Sequence, residues 1–265
     1  MVYSIGCLDY EFWFMMTTEK EHSVAAGKNN GSREELEILL RSESLVDDID
    51  LIRKLNYVRT LDLRDTGVAD ITTLQNLQTV VALNLAETQV TDIAVLETLH
   101  TLESLNLADT KVKDLTPLRN CINLKYLNLA RTMVDDISAL RTLHNLQYLD
   151  LEATKVADLS PLVNLENLEE LSLYLTPVAD IAPLAGHAHL EYLSLFGTRV
   201  SDGAALKTLP KLAKLDVGGT ILADVNWQNE LPGVNVLISH DHFVWVKDAS
   251  GARLDVRLTK RYPER

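Results

Sequence analysis

A triplet of apolar, polar and apolar residues returns every 22 residues along most of this chain, with no insertion or deletion. It stands at Leu61-Asp62-Leu63, Leu83-Asn84-Leu85, Leu105-Asn106-Leu107, Leu127-Asn128-Leu129, Leu149-Asp150-Leu151, Leu171-Ser172-Leu173, Leu193-Ser194-Leu195 and Leu215-Asp216-Val217. Such a triplet is a short strand with one face turned in and one turned out. A unit of 22 residues cannot close a core alone. The units must stack, pair their strands in parallel and share one interior.

Other columns keep the same step. Threonines 66, 88, 110, 132, 154, 176, 198 and 220 mark where the chain leaves each strand. A hydroxyl there can bond backbone groups that the turn exposes, with stacked copies forming a ladder. Aspartates 70, 92, 114, 136, 158, 180, 202 and 224 precede the stretch that returns on the other side. Thr116-Pro117, Ser160-Pro161 and Ala182-Pro183 put proline at the first position of that return, a helix-start signal. Only about six residues remain for it, so 3-10 or one-turn helices are expected.

The unit LxxLxLxxTxVxDIxxLxxLxx resembles a leucine-rich repeat of the short class, as in bacterial internalin-type proteins and leucine-rich phosphatase regulatory subunits. The resemblance runs from residue 45 to about residue 239. It implies an α/β leucine-rich-repeat solenoid with a curved parallel sheet on the concave face and short helices on the convex face. Threonine stands where that family usually has asparagine, so one hydroxyl replaces an amide and a carbonyl.

Four segments follow. Residues 1–31 form an N-terminal segment, expected to be mostly loose from about residue 17 onward. Residues 32–57 form a cap: an amphipathic helix over 33–41 with Ser32 as N-cap, then a half-repeat marked by Val46, Ile49, Ile52 and Leu55. Residues 58–239 hold eight repeats and a degenerate ninth with Val234 and Leu237. Residues 240–265 pair Phe243–Val246 with Leu254–Leu258 in a hairpin cap, followed by a basic tail.

The formal net charge of −13 argues against nucleic acid and anionic membrane surfaces. No apolar run reaches the roughly 20 residues of a membrane span. Cys7 and Cys121 have no metal-type spacing and read as free thiols in a reducing compartment, which favours the cytoplasm. Export by a signal not recognisable in the sequence is the alternative. No phosphate loop, metalloprotease motif or nucleophile elbow is present, so an enzyme is not expected and no cofactor is implied. His240-Asp241-His242 is the one tight metal-capable cluster; it reads as a polar turn, since further ligands are not apparent. Cys121 falls in a leucine column and reads as a small buried hydrophobe.

The polar positions around each triplet form a surface that can bind. In repeats four to seven this surface gathers Tyr126, Tyr148, Tyr174, Leu175, Tyr192 and Phe196, rimmed by Glu152 and Glu170. Aromatic anchors inside a charged rim are typical of protein-binding hot spots. Cross-strand aromatic packing that stiffens the sheet is the competing explanation. The functional expectation is therefore a monomeric interaction scaffold whose concave face binds a protein with basic residues at the contact. A structural or surface-display repeat protein, or a secreted effector, without one dedicated partner is the alternative. On the first reading, replacing Tyr148 and Tyr174 by Ala abolishes capture and leaves the thermal melt nearly unchanged.

Overall fold

The computed structural model describes residues 36–39, 58–224, 230–237, 243–247 and 253–257. These fall in two units, Gly31–Leu237 on one hand and Met1–Asn30 with Ile238–Arg265 on the other. The first unit is a ten-stranded parallel sheet in sequence order. Its strands are β1 (Leu36–Leu39), β2 (Val58–Asp62), β3 (Ala82–Asn84), β4 (Ser104–Asn106), β5 (Tyr126–Asn128), β6 (Tyr148–Asp150), β7 (Glu170–Ser172), β8 (Tyr192–Ser194), β9 (Lys214–Asp216) and β10 (Asn235–Leu237). Strands β2 to β9 open coils one to eight. From β2 to β9 each residue registered between neighbouring strands meets its copy 22 positions on, as Leu61 with Leu83 and Leu83 with Leu105.

The turn off the strand is built by three positions in succession, the first of them in the coils whose triplet holds Asp or Asn. The polar residue inside the triplet folds onto its own backbone: Asn84, Asn106, Asn128 and Asp150 accept from the amide two residues on at 2.8–3.1 Å. The next column then adopts left-handed backbone, with φ of 52–58° at Asp65, Glu87, Asp109, Arg131, Ala153 and Leu175, and Gly197 and Gly219 completing it. Finally the threonine hydroxyl donates to the carbonyl three residues back in all eight coils, at 2.6–2.7 Å. The threonine column therefore ties each coil to itself.

On the opposite side the aspartates take the role of a cap. Asp70, Asp92, Asp114, Asp136, Asp158, Asp180 and Asp202 accept from the amide two residues on at 2.7–2.9 Å. Hydrogen bonds from the residue two on hold these carboxyls below the usual range: the Thr116 hydroxyl and then its amide for Asp114, and the amide and then the hydroxyl of Thr72 for Asp70 and of Ser160 for Asp158. A 3-10 turn follows in each coil, as at Thr116–Asn120, Ser138–Thr142, Ser160–Leu162 and Ala182–Leu184, with Pro117, Pro161 and Pro183 at its start. Another ladder, unforeseen from the sequence, does join neighbours. Thr101, Asn123, Asn145 and Asn167 donate to carbonyls of the preceding coil, those of Val80, His100, Ile122 and His144, at 2.6–2.9 Å.

The interior is the stack of apolar columns. Coil three alone buries Leu105, Leu107, Val112, Leu115, Leu118, Cys121 and Leu124, none more than 2% exposed. Each such side chain contributes about 1.5–3 kcal/mol by leaving water.

The period holds inside the stack and slips at its ends. Residues 36–39 were expected in an amphipathic helix, and they form β1 instead. Leu36, Ile38 and Leu39 suit a strand as well as a helical stripe, and the open edge of β2 offers backbone partners that a helix would leave unpaired. Leu36 pairs with Val58, but Ile38 pairs with Leu61 after a register shift. At the other end Val236 takes the place beside Leu215, one residue earlier than the period puts it. Gly233, at φ 93°, tightens the turn before it. The expected hairpin strands form: β11 (Phe243–Lys247) pairs antiparallel with β12 (Arg253–Arg257). Residues 1–31, Ser32, the half-repeat over 46–55, His240-Asp241-His242 and the tail beyond residue 257 lie outside the described residues.

Candidate protein-binding face

The first position of each strand and the position after each triplet form two parallel columns on the strand face. Register brings Tyr126 opposite Tyr148 in the first of them. Their rings stack with centroids 4.4 Å apart and planes 10° from parallel. In the second column Tyr174 stacks on Phe196 at 4.7 Å and 13°. Strands of a sheet lie about 4.8 Å apart, so rings in neighbouring coils of one column meet face to face. Lys214 sits over the Tyr192 ring with its Nζ 4.8 Å from the centroid. Burial and the Asp216 carboxylate raise the Tyr192 phenol above the ordinary tyrosine range. Burial lowers the Lys214 ammonium, opposed by Glu170 and Asp216. In coils two to four the second column holds only Ala86, Ala108 and Ala130, a small apolar cluster of their own.

A model of Leucine Rich repeats (2 copies) matches residues 100–142 and 122–164. Among solved structures, an internalin C2 of Listeria monocytogenes aligns at 26% identity and TM-score 0.68, covering 74% of this chain and 92% of that one. The fold is a leucine-rich-repeat solenoid, similar to those of internalins. An internalin (inlF) of the same organism aligns at 28% identity and TM-score 0.66, over 71% of this chain. The solenoid spans 62% of the length of that relative. A leucine-rich-repeat protein of Leptospira interrogans, at 20% identity and TM-score 0.59, covers 71% of this chain and 56% of its own, and shares the fold. A comparison with the curated proteins gives no match.

The solenoid places the expected binding residues unevenly. Leu175 is 50% exposed, while Tyr148, Glu170, Tyr192 and Phe196 are half-buried. Tyr126, Tyr174 and Glu152 are buried, at 0%, 6% and 7% exposure, and correct the expectation of free anchors there. Stacking explains part of this, since each ring of a pair covers one face of the other. The competing explanation, cross-strand packing, is realised in both pairs. Truncating Tyr174 would open a hole about the size of a ring and cost about 3–5 kcal/mol, so the melt could not stay unchanged.

The charges of the solenoid are also partly committed. Arg131 donates to both oxygens of Asp109, at 2.7 and 2.6 Å, and to Glu152 at 2.8 Å. Those contacts, led by the Asp109 hydrogen bonds, raise the Arg131 guanidinium further above its ordinary range. Lys111 donates from Nζ to Gln89 Oε1 of the coil before, at 2.9 Å. Sequence reasoning missed the contact of Lys214 with Tyr192, though the 22-residue spacing of the two names it. Leu175 lies over Gly197: a Cβ there would meet Leu175 Cδ2 at 2.6 Å. Among the described residues no group of His, Cys, Asp and Glu could hold a metal ion, and no helix is long and apolar enough to cross a membrane.

Proposed function

We propose that this solenoid is an interaction scaffold that binds a protein partner on its strand face over coils five to eight, through Lys or Arg on the partner. Leucine-rich repeats generally mediate protein–protein interaction. The reading rests on one asymmetry. Coils two to four offer alanines after the triplet, and coils six and seven offer Tyr174, Phe196 and the exposed Leu175. Glu169, Glu170 and Glu191 stand beside the later coils, where they favour a basic approach. Tyr148, Tyr192 and Phe196 supply the accessible aromatic surface, with Tyr126 and Tyr174 stacked against Tyr148 and Phe196 from the neighbouring coils.

The test uses accessible residues. Glu170→Lys with Leu175→Asp should lower capture of the partner at least tenfold and leave the circular-dichroism melt within about 2 °C of wild type. Unchanged capture by the double variant would refute the face. A cytoplasmic location is part of the proposal, and recovery of the protein in an envelope fraction would favour a surface-display role instead.

A further inference from the structure

Residues two apart on a strand share a face. The first strand position, the middle of the triplet and the position after it therefore stand side by side, as three parallel columns. Over coils five to seven the outer two carry rings: Tyr148 and Tyr192 in one, Tyr174 and Phe196 in the other. The middle column carries Ser172 and Ser194 in coils six and seven, where coils one to five carry aspartate or asparagine. Small side chains thus floor a lane with aromatic walls, which runs along the stack and across the strands. Its walls stand about 13 Å apart, the length of four residues of strand. Every strand beneath it is paired on both sides. A visiting chain cannot add itself to the sheet there and has to lie across it.

The rings also set a repeat along that lane. Within a column, rings one coil apart are centred 4.4 Å and 4.7 Å from each other. Tyr148 and Tyr192 are two coils apart with Glu170 between them, so their wall repeats at about 9 Å. A polyproline II helix turns once in three residues and rises about 3.1 Å at each, so it returns to one face every ~9.3 Å. An α-helix fits less well, since it comes back to one face after about 6 Å or about 10.5 Å. Chemistry agrees with the spacing. Polyproline II leaves its carbonyls unbonded and surrounds them with apolar rings, which suits the electron-poor rims of aromatic side chains. A cation at every third position would fall beside Glu170, with Glu169 and Glu191 exposed next to it.

We infer that the partner segment is proline-rich, carries Lys or Arg at every third position, and lies in polyproline II form across coils five to seven. This rests on the face proposed above and names what that face selects. Prolines meet Tyr148, Tyr192 and Phe196, and the cation between two prolines meets Glu170. Lys214 of coil eight, with its Nζ over the Tyr192 ring, closes the run with a like charge. A polyproline II segment is already ordered before it binds, so a short one suffices.

Fluorescence anisotropy of labelled synthetic peptides on the full-length protein tests this without the natural partner. The probes are four repeats of Pro-Pro-Lys, four of Gly-Gly-Lys and four of Pro-Pro-Glu. The first should bind at least tenfold tighter than either of the others, and Glu170→Lys should weaken it at least fivefold. Equal affinity for the glycine peptide, which has the same charge at the same spacing, would overturn the polyproline inference and leave a basic partner on this face standing. Absence of binding by the Pro-Pro-Lys peptide would overturn it as well. So would tight binding that Glu170→Lys leaves unaltered, since the peptide would then sit elsewhere. Failure of the face itself is read separately, from unchanged partner capture by the Glu170→Lys, Leu175→Asp double variant.

Discussion

Replacing one threonine of the turn column by valine should cost different amounts in different coils. The triplet asparagine is the reason. In coil four Asn128 draws the Ala130 amide onto its own side chain at 2.8 Å. The Leu107 carbonyl of the coil before then depends on the Thr110 hydroxyl, at 2.6 Å, as its one partner among the described residues. Thr110 is 3% exposed, so no water replaces a lost hydroxyl readily. Thr110→Val leaves a buried carbonyl unsatisfied, at a cost of about 2 kcal/mol. In coil five the corresponding Leu151 carbonyl accepts both the Thr154 hydroxyl at 2.7 Å and the Thr154 amide at 3.1 Å. Thr154→Val removes one bond of two and should cost about 1 kcal/mol or less. Urea unfolding followed by circular dichroism reads the difference, with equal m-values required of both variants. Equal losses, or a larger loss at Thr154, would refute the claim that the hydroxyl completes the turn where the asparagine has taken the amide away.

Two further outcomes are expected. Arg131→Met removes the guanidinium that pairs with Asp109 and the nearly buried Glu152 and should cost about 1–2 kcal/mol, whereas Lys113→Met breaks a pair whose side chains are 64% and 44% exposed and should change stability by less than about 0.5 kcal/mol; chemical denaturation of the two variants side by side checks the ranking. Burial pushes the Cys121 thiol up to about 11, so an aromatic disulfide reagent at about pH 8 should leave it unlabelled until the protein is unfolded, and rapid labelling of Cys121 in the folded protein would contradict its place in the core.

The solenoid was legible because one relation decides it: a residue meets its copy 22 positions away. That relation holds wherever a coil has neighbours on both sides, so Leu83, Thr110 or Asp136 can be placed from the letters alone. It weakens where there is one neighbour. Leu36–Leu39 satisfy a helical and an extended pattern equally, and only the presence of the β2 edge selects between them. Val236 slipped by one residue for the same reason, with no later coil to hold it in step.

The candidate face was legible in composition and misread in exposure. The columns containing Tyr126 and Tyr174 were correct, but a residue's column does not say how much of it neighbours cover. Tyr126 shares its column with Tyr148, and Tyr174 with Phe196, and each pair closes on itself. His187 gave a different signal, a break in an apolar column. The carbonyls that its ring nitrogens approach, those of Leu162 and Leu184, follow from no spacing rule.

The two ring stacks bear on what a visiting molecule would feel. An aromatic ring is electron-rich above and below and electron-poor around its hydrogen-bearing rim. With Tyr126 pressed on Tyr148 and Tyr174 on Phe196, the inner faces are spent on one another. Rims are then what such a stack turns toward an approaching chain, and rims welcome carbonyl oxygens and aliphatic groups more readily than ammonium. Any taste for cations on that surface has to come from the glutamates alongside.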